Sequence, residues 1–293
     1  MYNNTILKIG AIVTDYDGTI CPTNSMYSQT NPIPEDLYSI LLQISKKIPI
    51  CILSSKSLEV LIPSYGFAKI ISSILGIEIV VFSKKEVKKK LTILDRSILE
   101  KNIEVSYIYQ KERLRSNSIF LENLSSYIEK RFNGIKIEKK YTFEEHILAG
   151  LTFDYRHILK WEYYKINIEP MLLQRINEFI TINSLSTDTL NIQTYATHPF
   201  VDIYTTKFNK GDAIDKIKKL LSFNHNEKIL YLGDSENDKP AFLKSDLSIN
   251  IRSDSRINTE LKTHYGLEFN ELTNFLTRLY DLDFHFSNML MMN

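Results

Sequence analysis

Cysteine, an excess of one charge and long apolar runs are all scarce in this sequence, and each scarcity excludes a class of protein. The two cysteines, Cys21 and Cys51, form no CxxC pair and no zinc-ligand spacing, which favours a reduced, cytoplasmic setting. With 36 basic and 35 acidic residues, the net charge of +1 provides no field that would attract nucleic acid or an anionic membrane. The longest apolar stretch, 70–82, contains Glu78 and is too short to span a bilayer. We therefore expect a soluble protein without nucleic-acid or membrane partners.

What the sequence does contain is an alternation of strand and helix patterns, which predicts an α/β fold. Short Ile- and Val-rich runs, typical of buried strands, occur at 7–13, 48–53, 228–232 and 247–251. Helical spacing of apolar residues occurs at 34–47, 211–221 and 272–280. This alternation is typical of βαβ units around a parallel sheet.

The middle of the chain differs from its two ends in composition and in the pattern of predicted strands and helices. Residues 84–201 are rich in Glu, Lys, Tyr and Asn and mix strand-like with helix-like segments. No long Gly-, Ser- or Pro-rich linker separates this part from its flanks. We therefore predict a core domain formed by residues 1–83 and 202–293, with an α+β domain inserted at 84–201.

Four short polar segments carry the candidate chemistry: DYDGT (15–19), LSSKS (53–57), NKGDA (209–213) and GDSENDKPAF (233–242). Three of them directly follow an apolar run, and the carboxyl ends of parallel strands open onto one ligand crevice. A calcium-binding loop is excluded because the glycine it needs at its sixth position is Ile20 after Asp15 and Lys239 after Asp234. A P-loop is excluded because GxxxxGK[ST] does not occur.

The acidic residues of these segments predict a metal site. The carboxylates of Asp15, Asp17, Asp234 and Asp238 would repel one another strongly in one crevice unless a cation lay among them. Mg²⁺ is usually held by one or two carboxylates together with the phosphate oxygens of a substrate. Lys210 could supply a second positive charge.

This arrangement suggests phosphoryl chemistry. Asp15 can attack phosphorus and form an aspartyl-phosphate. Asp17, two residues further on, can protonate the leaving alkoxide and later deprotonate the hydrolytic water. The hydroxyl of Ser54 can donate to a phosphate oxygen.

The four motifs, in this order, resemble those of the haloacid dehalogenase superfamily, and the long insert resembles its C2-type cap. The resemblance implies a Rossmann-like core, dependence on Mg²⁺ and hydrolysis of a phosphomonoester. SSKS and GDSEND are similar to the motifs of mannosyl-3-phosphoglycerate phosphatases and sucrose-phosphatases, and DYDGT is similar to that of trehalose-phosphatases. The second motif departs from the frequent Thr-Gly-Arg and reads Ser-Ser-Lys here.

The resemblance also implies roles for individual residues. Asp15 would be the nucleophile and Asp17 the acid/base, while Ser54 and Lys210 would contact the phosphoryl group. Asp234 would bind Mg²⁺ beside Asp15 and the carbonyl of Asp17. The supporting or phosphate-binding positions would be Gly18, Ser55, Asn237 and Asp238.

Substrate contacts are assigned to Lys56, Arg156 and His198, and for the last two the sequence leaves a structural alternative open. Arg156 either recognises a substrate carboxylate or forms a salt bridge within a strand. His198 either contacts the ligand or packs in a loop near the return to the core.

We expect a cytoplasmic monomer or homodimer that hydrolyses a small phosphorylated sugar or sugar-acid. Two alternatives remain. A phosphosugar mutase would use the same pair of aspartates, and a non-catalytic protein of the same fold would bind a phosphometabolite without turning it over.

Overall fold

The computed structural model describes residues 6–22, 32–83, 96–184, 189–196, 198–223, 226–252 and 261–291. The chain divides into two compact units. Unit 1 combines Met1–Tyr107 with Asn209–Asn293, and unit 2 is Ile108–Phe208. No helix in the described ranges has the length and apolarity needed to cross a membrane.

Unit 1 is built on a mostly parallel sheet. Numbered along the whole chain, its strands are β1 (Leu7–Thr14), β2 (Ile50–Leu53), β3 (Ala68–Ser73), β4 (Glu78–Phe82), β5 (Ile103–Ile108), β10 (Lys228–Gly233), β11 (Leu247–Arg252), β12 (Tyr265–Glu268) and β13 (His285–Phe286). Its helices are α1 (Glu35–Ile44), α2 (Leu58–Leu61), α3 (Arg96–Asn102), α6 (Lys210–Leu221), α7 (Lys239–Lys244) and α8 (Leu272–Asp281). Every residue of β2 is buried, as are the last six of β1, so both faces of the central sheet are covered.

The strand order places three loops side by side. Among the described residues the order is β12-β11-β10-β1-β2-β3-β4-β5, and β13 pairs antiparallel with the start of β1. The last residue of β1, Thr14, pairs in parallel with Ile52 of β2 and Leu232 of β10. These two neighbours come from opposite ends of the chain, so β1 lies at the topological switch point where such sheets bind ligands.

The end of the sheet departs from the parallel pattern predicted from sequence. β4 runs antiparallel to β3. The connection between them is the short turn Ile74–Gly76, in which Leu75 adopts a left-handed φ of 60°. A parallel crossover needs a dozen or more residues, so this short turn can only reverse the chain.

Unit 2 is an antiparallel sheet with helices on one face. Its strands are β6 (Lys136–Tyr141), β7 (Leu148–Asp154), β8 (Asn191–Thr194) and β9 (Phe200–Tyr204), in the order β6-β7-β9-β8, and its helices are α4 (Lys111–Glu129) and α5 (Trp161–Ile182). Leu151 and Phe153 of β7 and Val201 and Ile203 of β9 pack in one cluster with both helices. The intervening residues of each strand point to the other face, because side chains alternate along a strand.

The predicted fold class, a mostly parallel α/β core interrupted by an α+β unit, is confirmed. The units nevertheless divide at 107/108 and 208/209, whereas the sequence pattern placed the borders at 84 and 201. At the first border β5, expected in the insert, is the edge strand of the unit 1 sheet. At the second, β9 pairs with β7 and β8, which keeps residues 202–204 in unit 2.

Candidate active site

Two buried charged side chains form the centre of the candidate site. Asp15 follows the last residue of β1, and its amide donates to the Leu232 carbonyl at 2.9 Å, which fixes it beside β10. Lys210 is the first residue of α6, and its fully buried Nζ lies 3.1 Å from Asp15 Oδ1. The side chain of Asn209 caps this helix by accepting from the amides of Gly211 and Asp212. The cap therefore sets where α6 begins and hence where Lys210 stands.

Asp238 connects several residues of the site through hydrogen bonds. Its Oδ1 accepts from Lys210 Nζ at 2.6 Å and from the Tyr231 hydroxyl at 2.5 Å. Its Oδ2 accepts from the amides of Asp234 and Ser235 at 3.1 and 3.0 Å and from the Ser235 hydroxyl at 3.3 Å. Both oxygens of this buried carboxylate are thus occupied by donors from the protein.

Asp234 packs against the glycine of the first motif. Gly18 has a φ of +80°, and a Cβ built there would lie 2.0 Å from Asp234 Oδ2. Only glycine allows both this backbone conformation and this close approach. On the other oxygen, Asp234 Oδ1 accepts from the Thr19 hydroxyl at 3.2 Å.

Burial raises the pKa values of two carboxyl groups in this cluster, Asp15 and Asp234. Desolvation, together with the charge of Asp238, raises the pKa of Asp15 to about 7, against the lowering effect of Lys210. Burial, followed by the charges of Asp238 and Asp15, raises the pKa of Asp234 well above its usual value. The pKa of Lys210 is raised as well: burial lowers it, but the carboxylates of Asp15 and Asp238 more than compensate. One ammonium group is therefore too little positive charge for three carboxylates.

The arrangement fits a divalent cation. Oxygen atoms of Asp15, Asp234 and Asp238 lie within 4.8 Å of one another. The buried Asp15 Oδ1 accepts no hydrogen bond of good geometry, although Lys210 is close. Since both oxygens of Asp238 are taken by donors, Asp15 and Asp234 are the carboxylates available to a hard ion such as Mg²⁺.

Asp17 is the more exposed member of the aspartate pair. Its side chain is 31% exposed, and its Oδ2 lies 3.9 Å from Lys56 Nζ. Ser54 follows β2, is buried, and accepts from the Lys56 amide at 3.3 Å. Ser55, which stands between Ser54 and Lys56 in the sequence, is half-buried. The second motif thus stands beside the first, as expected for loops that follow adjacent strands.

Asn237 joins the lysine side of the site. Its Oδ1 accepts from Lys210 Nζ at 3.0 Å and from the Ser235 hydroxyl at 2.9 Å. Asp238 occupies the N-cap position of α7 without a side-chain cap, while Ser235 caps the preceding 3-10 turn Glu236–Asp238.

Arg156 and His198 lie in unit 2. Arg156 donates to the Asp154 carboxylate through its amide at 2.9 Å and its Nε at 2.7 Å. The His198 ring stacks on Phe200 with centroids 6.0 Å apart, and its carbonyl accepts from Lys165. Both contacts match the structural alternatives, a salt bridge and a packed loop histidine, and substrate contact remains a prediction for either residue.

Sequence reasoning missed two hydroxyl groups, those of Tyr231 and Thr19. Tyr231 lies in the buried part of β10, within an apolar run that gives no sign of a polar role. A buried tyrosine normally finds a partner for its hydroxyl, and its position three residues before Asp234 was the available signal. Thr19 stands inside the first motif, and nothing in its spacing indicated contact with Asp234.

Comparison with known proteins places this arrangement in a known fold. A family model for haloacid dehalogenase-like hydrolases matches residues 12–264. Among curated proteins, none matches this sequence significantly.

Several solved structures share the fold. The C-terminal domain of a trehalose-6-phosphate phosphatase from C. albicans is similar with a TM-score of 0.65 and 16% identity, over 94% of this chain and 93% of that one. A trehalose-6-phosphate phosphatase related protein has a TM-score of 0.57 and 18% identity, over 93% and 97% of the two chains. A sugar phosphatase of subclass IIB of the superfamily has a TM-score of 0.53 and 13% identity, over 94% and 99%. At these identities the likeness establishes the fold.

Proposed function

The chain belongs to the haloacid dehalogenase-like hydrolase family, and we propose that it is a Mg²⁺-dependent phosphatase of small phosphorylated sugars or sugar-acids that works through an aspartyl-phosphate on Asp15. The observation that carries this proposal is the buried Asp15 carboxylate, 3.1 Å from the buried Lys210 ammonium and beside Asp234. A purely structural cluster would not place two buried carboxylates and a half-buried third beside one lysine, because the unbalanced charge destabilises the fold.

In the first step, a carboxylate oxygen of Asp15 forms a bond to phosphorus as the bond from phosphorus to the leaving oxygen breaks. Lys210 neutralises charge on the phosphoryl oxygens, and the Ser54 hydroxyl donates to one of them. Asp17 gives its proton to the leaving alkoxide, which departs as an alcohol. The greater exposure of Asp17 suits this role, since the hydrolytic water of the second step must be able to reach it.

In the second step, Asp17 takes a proton from water as the water oxygen bonds to phosphorus. The bond between phosphorus and Asp15 breaks, which returns Asp15 as a carboxylate and releases inorganic phosphate. The two aspartates therefore divide the work: one carries the covalent intermediate and the other carries the proton.

Mg²⁺ would be held by the side chains of Asp15 and Asp234, with the Asp17 carbonyl as the further protein ligand. When bound, it would supply positive charge that keeps the Asp15 carboxylate ionised and offsets charge on the phosphoryl oxygens. Asp238 would orient Lys210 and the loop that carries Asp234 and would leave the ion to the other two carboxylates.

The substrate class is supported by the phosphatases among the similar structures, whose names refer to trehalose-6-phosphate and to sugars. The test is phosphate release from a panel of phosphorylated sugars, glycerate derivatives, phosphoglycolate and nucleotides, with Mg²⁺ or with EDTA. One dominant substrate, hydrolysed only with Mg²⁺, is the expected result.

Other outcomes of the panel would favour the alternatives. An isomerised hexose phosphate without free phosphate would replace the proposal with a mutase. Tight binding of a sugar phosphate without any turnover would replace it with a non-catalytic binding protein. The matched control is Asp15→Asn, which keeps the size of the side chain and removes the nucleophile.

A further inference from the structure

Tyr231 is fully buried in the core and contacts the candidate catalytic cluster through Asp238. It lies on β10, opposite Val13 of β1 and Ser248 of β11, so strands enclose it on both sides. Its ring packs edge-on against Phe242 with centroids 5.4 Å apart. The ring is therefore held in one orientation, and its hydroxyl is directed to Asp238.

The Tyr231 hydroxyl acts as a permanent donor. Burial, followed by the nearby charge of Asp238, raises the pKa of this phenol well above its usual value, so the proton stays on the hydroxyl. The hydrogen bond to Asp238 Oδ1 is 2.5 Å long, as expected for donation to a carboxylate.

Lys210 shares the same oxygen atom. Its Nζ lies 2.6 Å from Asp238 Oδ1, 3.0 Å from Asn237 Oδ1 and 3.1 Å from Asp15 Oδ1, so the position of the ammonium group depends on how strongly each of the three oxygens attracts it. The contact with Asp238 is the shortest of the three. The Tyr231 hydroxyl is a second donor to Asp238 Oδ1. Its hydrogen bond offsets part of the negative charge of that oxygen and so weakens the attraction between Asp238 and Lys210.

We infer that Tyr231 is a positioning residue that, by donating to Asp238 Oδ1, holds Lys210 between Asp238 and the nucleophile Asp15. Without the hydroxyl, Asp238 would draw Lys210 towards itself and away from Asp15. The phosphoryl group would then lose part of its positive partner in the transition state. The kinetic part of this inference rests on the proposed function, whereas the placement of Lys210 can be measured without it.

The kinetic test is Tyr231→Phe, which keeps the ring and its packing on Phe242 and removes only the hydroxyl. We expect kcat to fall about tenfold while KM stays within about twofold, because the lost contact acts through Lys210 on developing charge. The matched control is Tyr265→Phe on β12, which removes a tyrosine hydroxyl that donates to Asn288 in the same unit. Equal kinetics of the two folded variants would overturn the inference.

The second measurement is independent of turnover. The ammonium signal of Lys210 in a ¹H–¹⁵N spectrum, identified by its loss in Lys210→Arg, should shift and exchange faster in Tyr231→Phe and stay in place in Tyr265→Phe. In the wild-type protein the same ammonium protons should show a cross-relaxation peak to the Tyr231 hydroxyl proton. This measurement does not depend on whether the Tyr231→Phe variant folds. An unmoved signal, or a missing cross-peak, overturns the inference. A moved signal in a chain that hydrolyses no phosphomonoester would support it and count against the proposed function alone.

Discussion

Each unit of this protein buries a lysine beside an aspartate, yet the charges of the two clusters are balanced very differently. In unit 2, Lys140 Nζ lies 4.0 Å from Asp202 Oδ1 and donates to the Tyr204 hydroxyl at 3.2 Å. In unit 1, Lys210 faces the carboxylates of Asp15 and Asp238. The first cluster pairs one positive with one negative charge, whereas the second has a surplus of negative charge.

Hydrogen bonding shows the same contrast. Asp202 accepts from the hydroxyls of Thr152, of Tyr195 at 2.7 Å and of Tyr204 at 3.3 Å, which satisfies a buried carboxylate without help from outside the protein. In unit 1 the buried Asp15 Oδ1 accepts no such bond. A balanced buried network stabilises a sheet, whereas an unbalanced one is held ready for a cation and a reacting group. We therefore expect the unit 2 cluster to be structural and the unit 1 cluster to carry the proposed chemistry.

The largest effect is expected from Asp15→Asn. The amide cannot form the aspartyl-phosphate, so we expect kcat/KM to fall by at least about a thousandfold. Because the buried Asp15 carboxylate is itself unfavourable, its neutral isostere should leave the melting temperature equal or higher. Phosphate release and thermal melting check both parts. Residual activity above a few per cent would contradict the role of Asp15.

Removal of Mg²⁺ should have the next largest effect. With EDTA we expect activity to fall at least about a hundredfold and to return with added Mg²⁺. Mg²⁺ should also raise the melting temperature of the resting enzyme, because it binds the folded site and not the unfolded chain. A melting temperature that does not respond to Mg²⁺ would show that the unit 1 cluster is not a metal site.

Asp202→Asn tests the balanced cluster. The amide replaces an acceptor with a donor among three hydroxyls and leaves Lys140 without its counter-charge, so we expect a loss of about 2–3 kcal/mol in the free energy of unfolding. Urea unfolding measures it, and the loss should be the same with and without Mg²⁺. The control is Glu112→Gln, which breaks an exposed pair with Arg115 and should have no measurable effect. A loss that Mg²⁺ reverses would assign Asp202 to the metal site instead.

The most gradual effect is a dependence of stability on pH in the metal-free protein, because it is spread over several pH units. The Asp15 carboxyl ionises near 3.8 when exposed and at about 7 when folded, so the folded state holds the proton more tightly between these values. Stability should therefore fall as pH rises through this interval, by at most about 1.4 kcal/mol per pH unit. Melting curves in EDTA between pH 5 and 8 should show this slope in the wild type and a flatter one in Asp15→Asn. Equal slopes would mean that another group titrates.

Much of the fold could be predicted because the core strands are short apolar runs that end in polar motifs. The predicted strand at 7–13 is Leu7–Thr14, and the predicted helix at 211–221 is Lys210–Leu221. β5 could not be assigned to unit 1, because the membership of a sheet depends on a distant partner strand. The antiparallel direction of β4 follows from a short turn that periodicity does not reveal.

What the sequence by itself determined is the set of chemical groups at the strand ends and their order along the chain. Asp15, Ser54 and Asp234 follow apolar runs, and the carboxyl ends of parallel strands meet at one edge of the sheet. Only the tertiary structure decided how these groups pair. Both oxygens of Asp238 accept hydrogen bonds, one of them from the Tyr231 hydroxyl. The carboxylates of Asp15 and Asp234 are therefore the ones available to a cation. The reason is physical, since these contacts join residues on different strands and helices. Their distances are set by the register of the sheet and the starting point of α6, which no local pattern records.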